Sequence, residues 1–424
     1  VVRRAAYARI LLSSAVLLAA VGVTPAAAVA DDPAWRPGTA PGPGRTVPVA
    51  QLRQLPGGLS GPETVVSNNP ENVTGPGWLM LHSRTTPYGG RAHPVTGDVP
   101  LYLYHQNGTD GTRYLHVLVS NPGTAPIQVS GVGSMYTNDQ VALDPDPATR
   151  AGTGPSYRVA RDWLDIERDW RSPRANVRFG ILTVPPRTAV QAVVARMNPR
   201  NLIDGRIRLT VVGGGAYLYT VMTADGSAGT AIGYSQRDDA AAPGNVQPED
   251  PGVGEPGRMA GVYANSAWTT EAAQPVAVPA GPAYLGYALD TIRYNRADLD
   301  QSAPAVAALD NSSTRSYGNY GFRYHLAFAL TNPDPAASRT VRLSFGHAFS
   351  AATDAGETTW NGPVQVTDHT GTRVEVVGTR PTAPRDAGPL GTWTLAPGAT
   401  ETVTLDLFVP GLIYSDAQLI LESG

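Results

Sequence analysis

One phrase occurs twice in this chain. Residues 115–123 read Leu-His-Val-Leu-Val-Ser-Asn-Pro-Gly, and residues 326–333 read Leu-Ala-Phe-Ala-Leu-Thr-Asn-Pro. Each is an alternating strand that stops at Asn-Pro, because proline has no N–H to offer the next ladder bond. Each leads to another strand and then to a proline hairpin, at residues 182–190 and 395–403. From Asn121 to Pro186 is 65 positions, and from Asn332 to Pro397 is again 65. A spacing shared by two otherwise divergent stretches predicts two copies of one β-domain.

The remaining pattern agrees. Short β-rich runs alternate with clusters of Gly, Pro, Asn and Asp through both halves. The predicted fold class is all-β: two β-sandwich domains of related topology, with an eight-stranded jelly roll as the competing arrangement. Residues 31–50 and 236–257 are rich in Pro and Gly and carry no strand pattern. They read as a flexible leader and an interdomain linker, which puts the two domains at 51–235 and 258–424. One segment, residues 161–171, has helical composition and is closed by Pro173. Trp163, Ile166 and Trp170 fall at i, i+3 and i+7, which predicts a short helix docked on the sandwich by those three side chains. Gly213-Gly214-Gly215 reads as a tight turn between two strands. It has no following Lys-Ser/Thr, so it is not a phosphate loop.

Arg3 and Arg4 precede an apolar run, residues 10–23, that is short for a bilayer span, and Ala28-Val29-Ala30 has the A-x-A cleavage pattern. Residues 1–30 therefore read as a signal peptide, and the expected mature chain is secreted, begins at Asp31 and has no membrane span. Ala5-Ala6 after the arginine pair favour a general export signal over the twin-arginine kind. The chain has no cysteine, which excludes disulfides, thiol nucleophiles, thiolate zinc sites and a lipoprotein anchor. Stability must come from cores, and 424 residues with 42% hydrophobic content can build them. A net charge of −3 gives no basic field for nucleic acid or anionic membranes. All basic residues are arginine, and with abundant Ala, Gly and Pro this points to a GC-rich, actinobacterial genome.

No catalytic motif stands in the sequence. There is no G-x-S-x-G elbow and no S-x-x-K signature. His82, His93, His105 and His116 cluster in sequence but lack H-x-H or H-E-x-x-H spacing, so they read as dispersed polar or turn residues rather than a metal site. Asp162, Asp165, Glu167 and Asp169 alternate with arginines and read as local ion pairs, although a glycosidase would need two facing carboxylates. Asp298, Asp300 and Asp310 offer oxygen atoms to calcium, but no full calcium loop supports Ca2+, and no other cofactor is implied. The candidate binding surface is aromatic. If the strands around the 107–111 turn pair with Leu103 opposite Leu115, one face carries Tyr102, Tyr104, Tyr114 and His116. The other carries Leu101, Leu103, Leu115 and Val117. Tyrosine faces stack on sugar rings, so this face is a candidate glycan platform. In the second half Phe322, Tyr324, Leu326 and Phe328 read as core.

Several segments resemble a secreted bacterial family of unknown function, represented in cyanobacteria and actinobacteria. They are Leu52-Arg53-Gln54-Leu55-Pro56-Gly57-Gly58-Leu59, Ser67-Asn68-Asn69-Pro70-Glu71, residues 257–262, Gln301-Ser302-Ala303-Pro304, and Tyr317-Gly318-Asn319-Tyr320-Gly321-Phe322-Arg323-Tyr324. The resemblance runs through the chain after the leader. It implies secretion and no defined activity, and it supplies no catalytic residues. The reading that follows is a non-catalytic binding or structural protein of the cell surface or extracellular matrix, with cell-envelope or extracellular polysaccharide as the expected partner. The alternative is an extracellular glycan hydrolase whose carboxylates meet only in the fold.

Overall fold

Six strands recur in the same order in each half. In the first copy they are β1 (Val95–Asn107), β2 (Arg113–Ser120), β3 (Ile127–Thr137), β4 (Val177–Val184), β5 (Ala189–Met197) and β6 (Leu202–Thr223). In the second they are β7 (Ala283–Ala288), β8 (Arg323–Thr331), β9 (Arg339–His347), β10 (Gly388–Leu395), β11 (Thr400–Phe408) and β12 (Ala417–Ser423). One sheet runs β4-β3-β6-β1 in the first copy and β10-β9-β12-β7 in the second, antiparallel throughout. The facing sheet is built on β5 against β2 and on β11 against β8. The chain is therefore all-β, with paired sandwiches of one topology. The computed structural model describes residues 35–41, 46–84, 86–87, 93–141, 154–245, 258–289, 296–347, 360–379, 388–411 and 417–424. The signal segment with its cleavage site, and residues 246–257, lie outside the described residues.

The repeated Asn-Pro explains why the copies match. Asn121 is buried where β2 ends, and its Nδ2 donates to the carbonyls of Ala125 (2.8 Å) and Val184 (3.0 Å). Asn332 is buried where β8 ends, and its Nδ2 donates to Ala337, Leu395 and Ala396 at 2.9–3.0 Å. In each copy Oδ1 accepts the backbone N–H two residues on, and the backbone N–H bonds across to the start of the strand after the proline hairpin. The asparagine thus fastens one sheet's strand end to the facing hairpin. A side chain with both donor and acceptor is needed, because the backbone groups there have left their ladder.

The two copies exchange strands across the predicted linker. Residues Ala260–Tyr263 pair with Thr64–Ser67, which lies parallel to β1, and residues Ala305–Ala308 extend the same sheet. Conversely, Gly58–Ser60 pairs with Ala267–Thr269, which joins β8 in the second copy. The leader is tied down where it is described: Arg36–Pro37 pairs with β7, and Val47 and Gln418 bond to each other. Ala240 and Ala242, at the start of the predicted linker, are buried beside Trp78. Pairing partners, which no local sequence pattern encodes, decide this interlock.

Among the described residues two α-helices interrupt the sheets. α1 (Gly154–Ile166) begins and ends earlier than expected. Trp163 and Ile166 are fully buried, as predicted, but Trp170 lies beyond the last helical turn and is 50% exposed. The i+7 rule fails because the chain has left the helix. The sequence pattern does not predict α2 (Ala228–Ser235). Its N-terminus is capped by Ser227, whose Oγ accepts the Thr230 N–H. The triple glycine is a bend inside β6, not a turn between strands. Gly213 has φ +90°, and beyond it β6 changes partner from β3 to β2.

Candidate functional site

The predicted tyrosine platform is not formed. β1 and β2 are not paired with each other; Leu103 lies opposite Gly205, and Leu115 opposite Ala195 and Met222. The turn folds inward because the Asn107 Nδ2 donates to Gly111, Met197 and Asn198 carbonyls, so the two strands enter facing sheets. The leucine face is core as expected, but the tyrosine face is covered as well. Tyr102 is 3% exposed and Tyr104 4%. Their cover is the second copy: Tyr320 stacks on Tyr102 at 6.4 Å, and Gly321 passes so close to the Tyr102 ring that a Cβ would approach within 2.7 Å. His116 is buried between Gln191 (2.7 Å) and Thr223 (2.8 Å), and burial lowers its pKa. Tyr114 is half-buried near the turn at Gly226.

The histidines are dispersed. His82 and His105 are buried and held near pKa 4 by desolvation, while His93 pairs with Glu63 at 2.8 Å. Among the described residues no three His, Asp or Glu side chains converge on a metal position. The carboxylates of α1 are ion-paired with arginines, Asp162 with Arg158 and Arg174, and Asp165 with Arg161, Arg168 and Arg174. Asp298 pairs with Arg296 and Asp300 with Arg315.

The residues that carried the family resemblance meet at the junction. Asn68 N–H bonds Met259, and the Asn69 amide bonds the Asn311 carbonyl. Asn319, at φ +44°, donates to the Tyr324 hydroxyl and the Gln301 carbonyl, and Tyr324 donates to Gln301 Oε1. Beside them Asp204 is fully buried, with Tyr102 donating to it at 3.2 Å. Burial pushes its carboxyl up to about 7, against the hydrogen bonds from Tyr102 and the Gly411 N–H. These motifs act as structure, welding the two copies.

The open site lies along the seam. A cleft of about 570 Å³ is bounded by Ser60, Ser266, Thr269 and Arg323 on one side and Asp98, Arg206 and Arg208 on the other, with Glu167 from the end of α1. A second cleft of about 520 Å³ shares Asp98 and Arg208 and adds Trp170, Arg178, Phe179 and Ile181. Both volumes lie in the range of about 300–1,000 Å³ typical of ligand pockets. Trp170 is flanked by the guanidinium groups of Arg171 (4.7 Å) and Arg178 (5.8 Å), and Ile181 is 70% exposed. Arg206 is buried between the rings of Trp163 (4.0 Å) and Phe408 (4.5 Å), and its Nε donates to the Gly321 carbonyl at 2.9 Å. Burial lowers its pKa to about 10, Arg208 and Arg323 push the same way, and Glu167 opposes them. Glu167 lies 3.9 Å from Arg206 and 3.6 Å from Arg323. Sequence reading missed this groove. By spacing Trp170 reads as one of three side chains docking a helix, and Arg206 and Arg208 alternate unremarkably along β6.

Residues 235–413, which include β7 to β11, match a family described as protein of unknown function (DUF3370). The matched span is narrower than the resemblance read along the chain. No curated protein matches. Among solved structures, the chain is similar to a Paenibacillus xanthan lyase at 12% identity and TM-score 0.17, covering 83% of this chain and 27% of that one. It thus spans about a quarter of the lyase's length. It is also similar to the tandem CBM22 modules of Paenibacillus barcinonensis Xyn10C at 10% identity and TM-score 0.17, covering 83% and 91% of the two chains. The tandem CBM51 modules of Sp3GH98 from Streptococcus pneumoniae match at 8% identity and TM-score 0.15, covering 81% and 88%. Likeness at these scores carries no functional argument.

Proposed function

A family of unknown function lends this chain no activity, so the reading rests on the groove: we propose that the protein is a secreted, non-catalytic polysaccharide binder of the cell surface or extracellular matrix. The observation that carries it is Trp170. A large aromatic left half in solvent, above a cleft that also exposes Ile181, gains the fold little and offers an apolar face to a ligand. Sugar rings present C–H faces that pack on aromatic surfaces, and their hydroxyls suit the arginines and serines along the seam. The export reading follows from the apolar segment and A-x-A site of residues 1–30.

A hydrolase is the second reading, because Asp98 and Glu167 line one cleft. Two features favour the binder. Glu167 is already engaged by two arginines, and Asp98 is held by the Thr210 hydroxyl at 2.7 Å. The carboxyl raised to about 7, Asp204, is sealed in the junction away from the clefts.

The test is a glycan array with the mature protein, read beside hydrolysis of the same glycans. Trp170→Ala should cost roughly tenfold or more in glycan affinity, as truncated aromatic anchors do. It should move stability by less than about 0.5 kcal/mol, as an exposed position does. Binding that ignores Trp170 would place the site elsewhere, and turnover of a bound glycan would make the hydrolase the better reading.

A further inference from the structure

Resting on the glycan reading, we propose that the seam cleft selects a polysaccharide bearing carboxylates, that is, one containing uronic acid residues. Three observations converge. Arg208 lines both clefts, is half-buried, and has no hydrogen bond or carboxylate partner among the described residues. A guanidinium with no bonded carboxylate, set in a cleft wall, is left able to receive an incoming anion. Arg206 is 5% exposed, and its Nη1 has no hydrogen-bond partner, with Glu167 at 3.9 Å too distant to supply one. Its Nε is fixed on Gly321, its plane is clamped between two rings and Nη1 is sealed from solvent, so Arg206 lends the cleft a fixed positive charge from behind its wall rather than a hydrogen bond. Arg323 is neutralised by Asp406 at 2.6 Å, so the charge open to a ligand is that of Arg208, with Arg178 beside it in the second cleft.

The charge balance indicates what kind of anion. The second cleft holds Arg178 and Arg208 against Asp98, which leaves one positive charge. One surplus charge suits a single carboxylate per site rather than a dense run of sulfate esters. Guanidinium donors match the planar geometry of a carboxylate, and the bond is charge-assisted. Trp170, at the far end of the continuous groove, then packs on a neighbouring sugar. The reading assigns charge selection to Arg208 and general sugar affinity to Trp170.

The experiment separates these two roles. Polygalacturonate, alginate and hyaluronan are each titrated into the full chain beside their own methyl esters, which keep the sugar and remove the charge. Dextran sulfate serves as the sulfated control. At least one free acid should bind roughly tenfold tighter than its ester, the scale of one hydrogen bond to a charged group, and added salt should narrow that gap. Arg208→Gln should erase the acid-over-ester preference, read as the ratio of the two affinities within each variant, while Arg208→Lys should restore part of the preference. Unfolding midpoints of both variants should match the unaltered protein, so that lost preference is not lost fold. Equal binding of acid and ester, or a preference indifferent to Arg208→Gln, would overturn the carboxylate assignment while leaving the Trp170-dependent glycan reading intact. Dextran sulfate binding tighter than every uronate would also overturn it. Binding of no glycan in either form would bring down both.

Discussion

The two copies share a frame and differ in what they insert into it. Between β3 and β4 the first copy carries α1, and between β9 and β10 the second carries a β-hairpin, Trp360–Asp368 with Gly371–Thr379. These insertions meet different needs. The hairpin extends its own copy's sheet by pairing with β11. α1 instead reaches across: Trp163 packs on Phe408 at 5.9 Å and donates its ring N–H to the Arg206 carbonyl at 2.8 Å. Past its last turn the chain delivers Glu167 and Trp170 to the seam. The repeated strands line most of the groove, with Asp98 on β1, Arg178 and Ile181 on β4, Arg206 and Arg208 on β6 and Arg323 on β8, and the unrepeated segment adds Glu167 and Trp170 to it. The comparison teaches that a shared frame supplies the groove's charged walls, while the insertion peculiar to one copy supplies its exposed aromatic.

The severest way to break that comparison is to separate the copies. Residues 51–235 and 258–424 produced apart should each fail to reach a cooperative native state, because each lacks strands supplied by the other. Calorimetry of each half decides it. Two independently folding halves would show that the exchanged strands are dispensable.

Trp163→Ala should come next. It removes a fully buried indole at the junction, and about 3–5 kcal/mol of stability should go with it, measured by denaturant unfolding. A loss near zero would mean that α1 rides on the seam without holding it.

The scaffold itself is sharpened by a matched pair. Asn121→Ala and Asn332→Ala should each cost roughly 1–3 kcal/mol, since each leaves buried carbonyls without their donor. Asn332 has one more carbonyl contact and should cost slightly more. If one substitution is neutral, the two corners are alike in shape only.

A pH dependence at the junction tests the seal between the copies. The Asp204 carboxyl rises in the fold from its ordinary 3.8 to about 7, because it is fully buried. The native state therefore holds its proton through that window while the unfolded chain releases it. The resulting stability is complete below about pH 4 and is lost as pH rises towards 7. Relative to Asp204→Asn, the unaltered protein should lose ground between pH 4 and 7, read as the difference in melting temperature at each pH. His82 and His105, lowered to about 4, act in the opposite sense in both proteins and cancel in the difference. A difference that stays flat would mean that Asp204 titrates normally.

Local chemistry made much of the frame legible. Asn-Pro corners, proline hairpins and period-two alternation depend on neighbours a few residues apart, so a linear reading of them recovers strands, their order and the duplication. The same locality explains the leucine face of β1 and β2, the ion pairs of α1 and the buried Trp163. Partners were not legible. Whether Tyr102 faces solvent depends on a turn two hundred residues away, at Tyr320 and Gly321. Whether Trp170 is core depends on where α1 stops. The exchange of strands around residues 58–67 and 260–269 has no signature along the chain, since a strand's pattern states which face is apolar and not which edge it joins. The residue order thus specified two β-copies with fastened corners. Only tertiary pairing decided that they interlock, that their tyrosines are sealed between them, and that Arg208, without a bonded carboxylate among the described residues, is left facing an open seam.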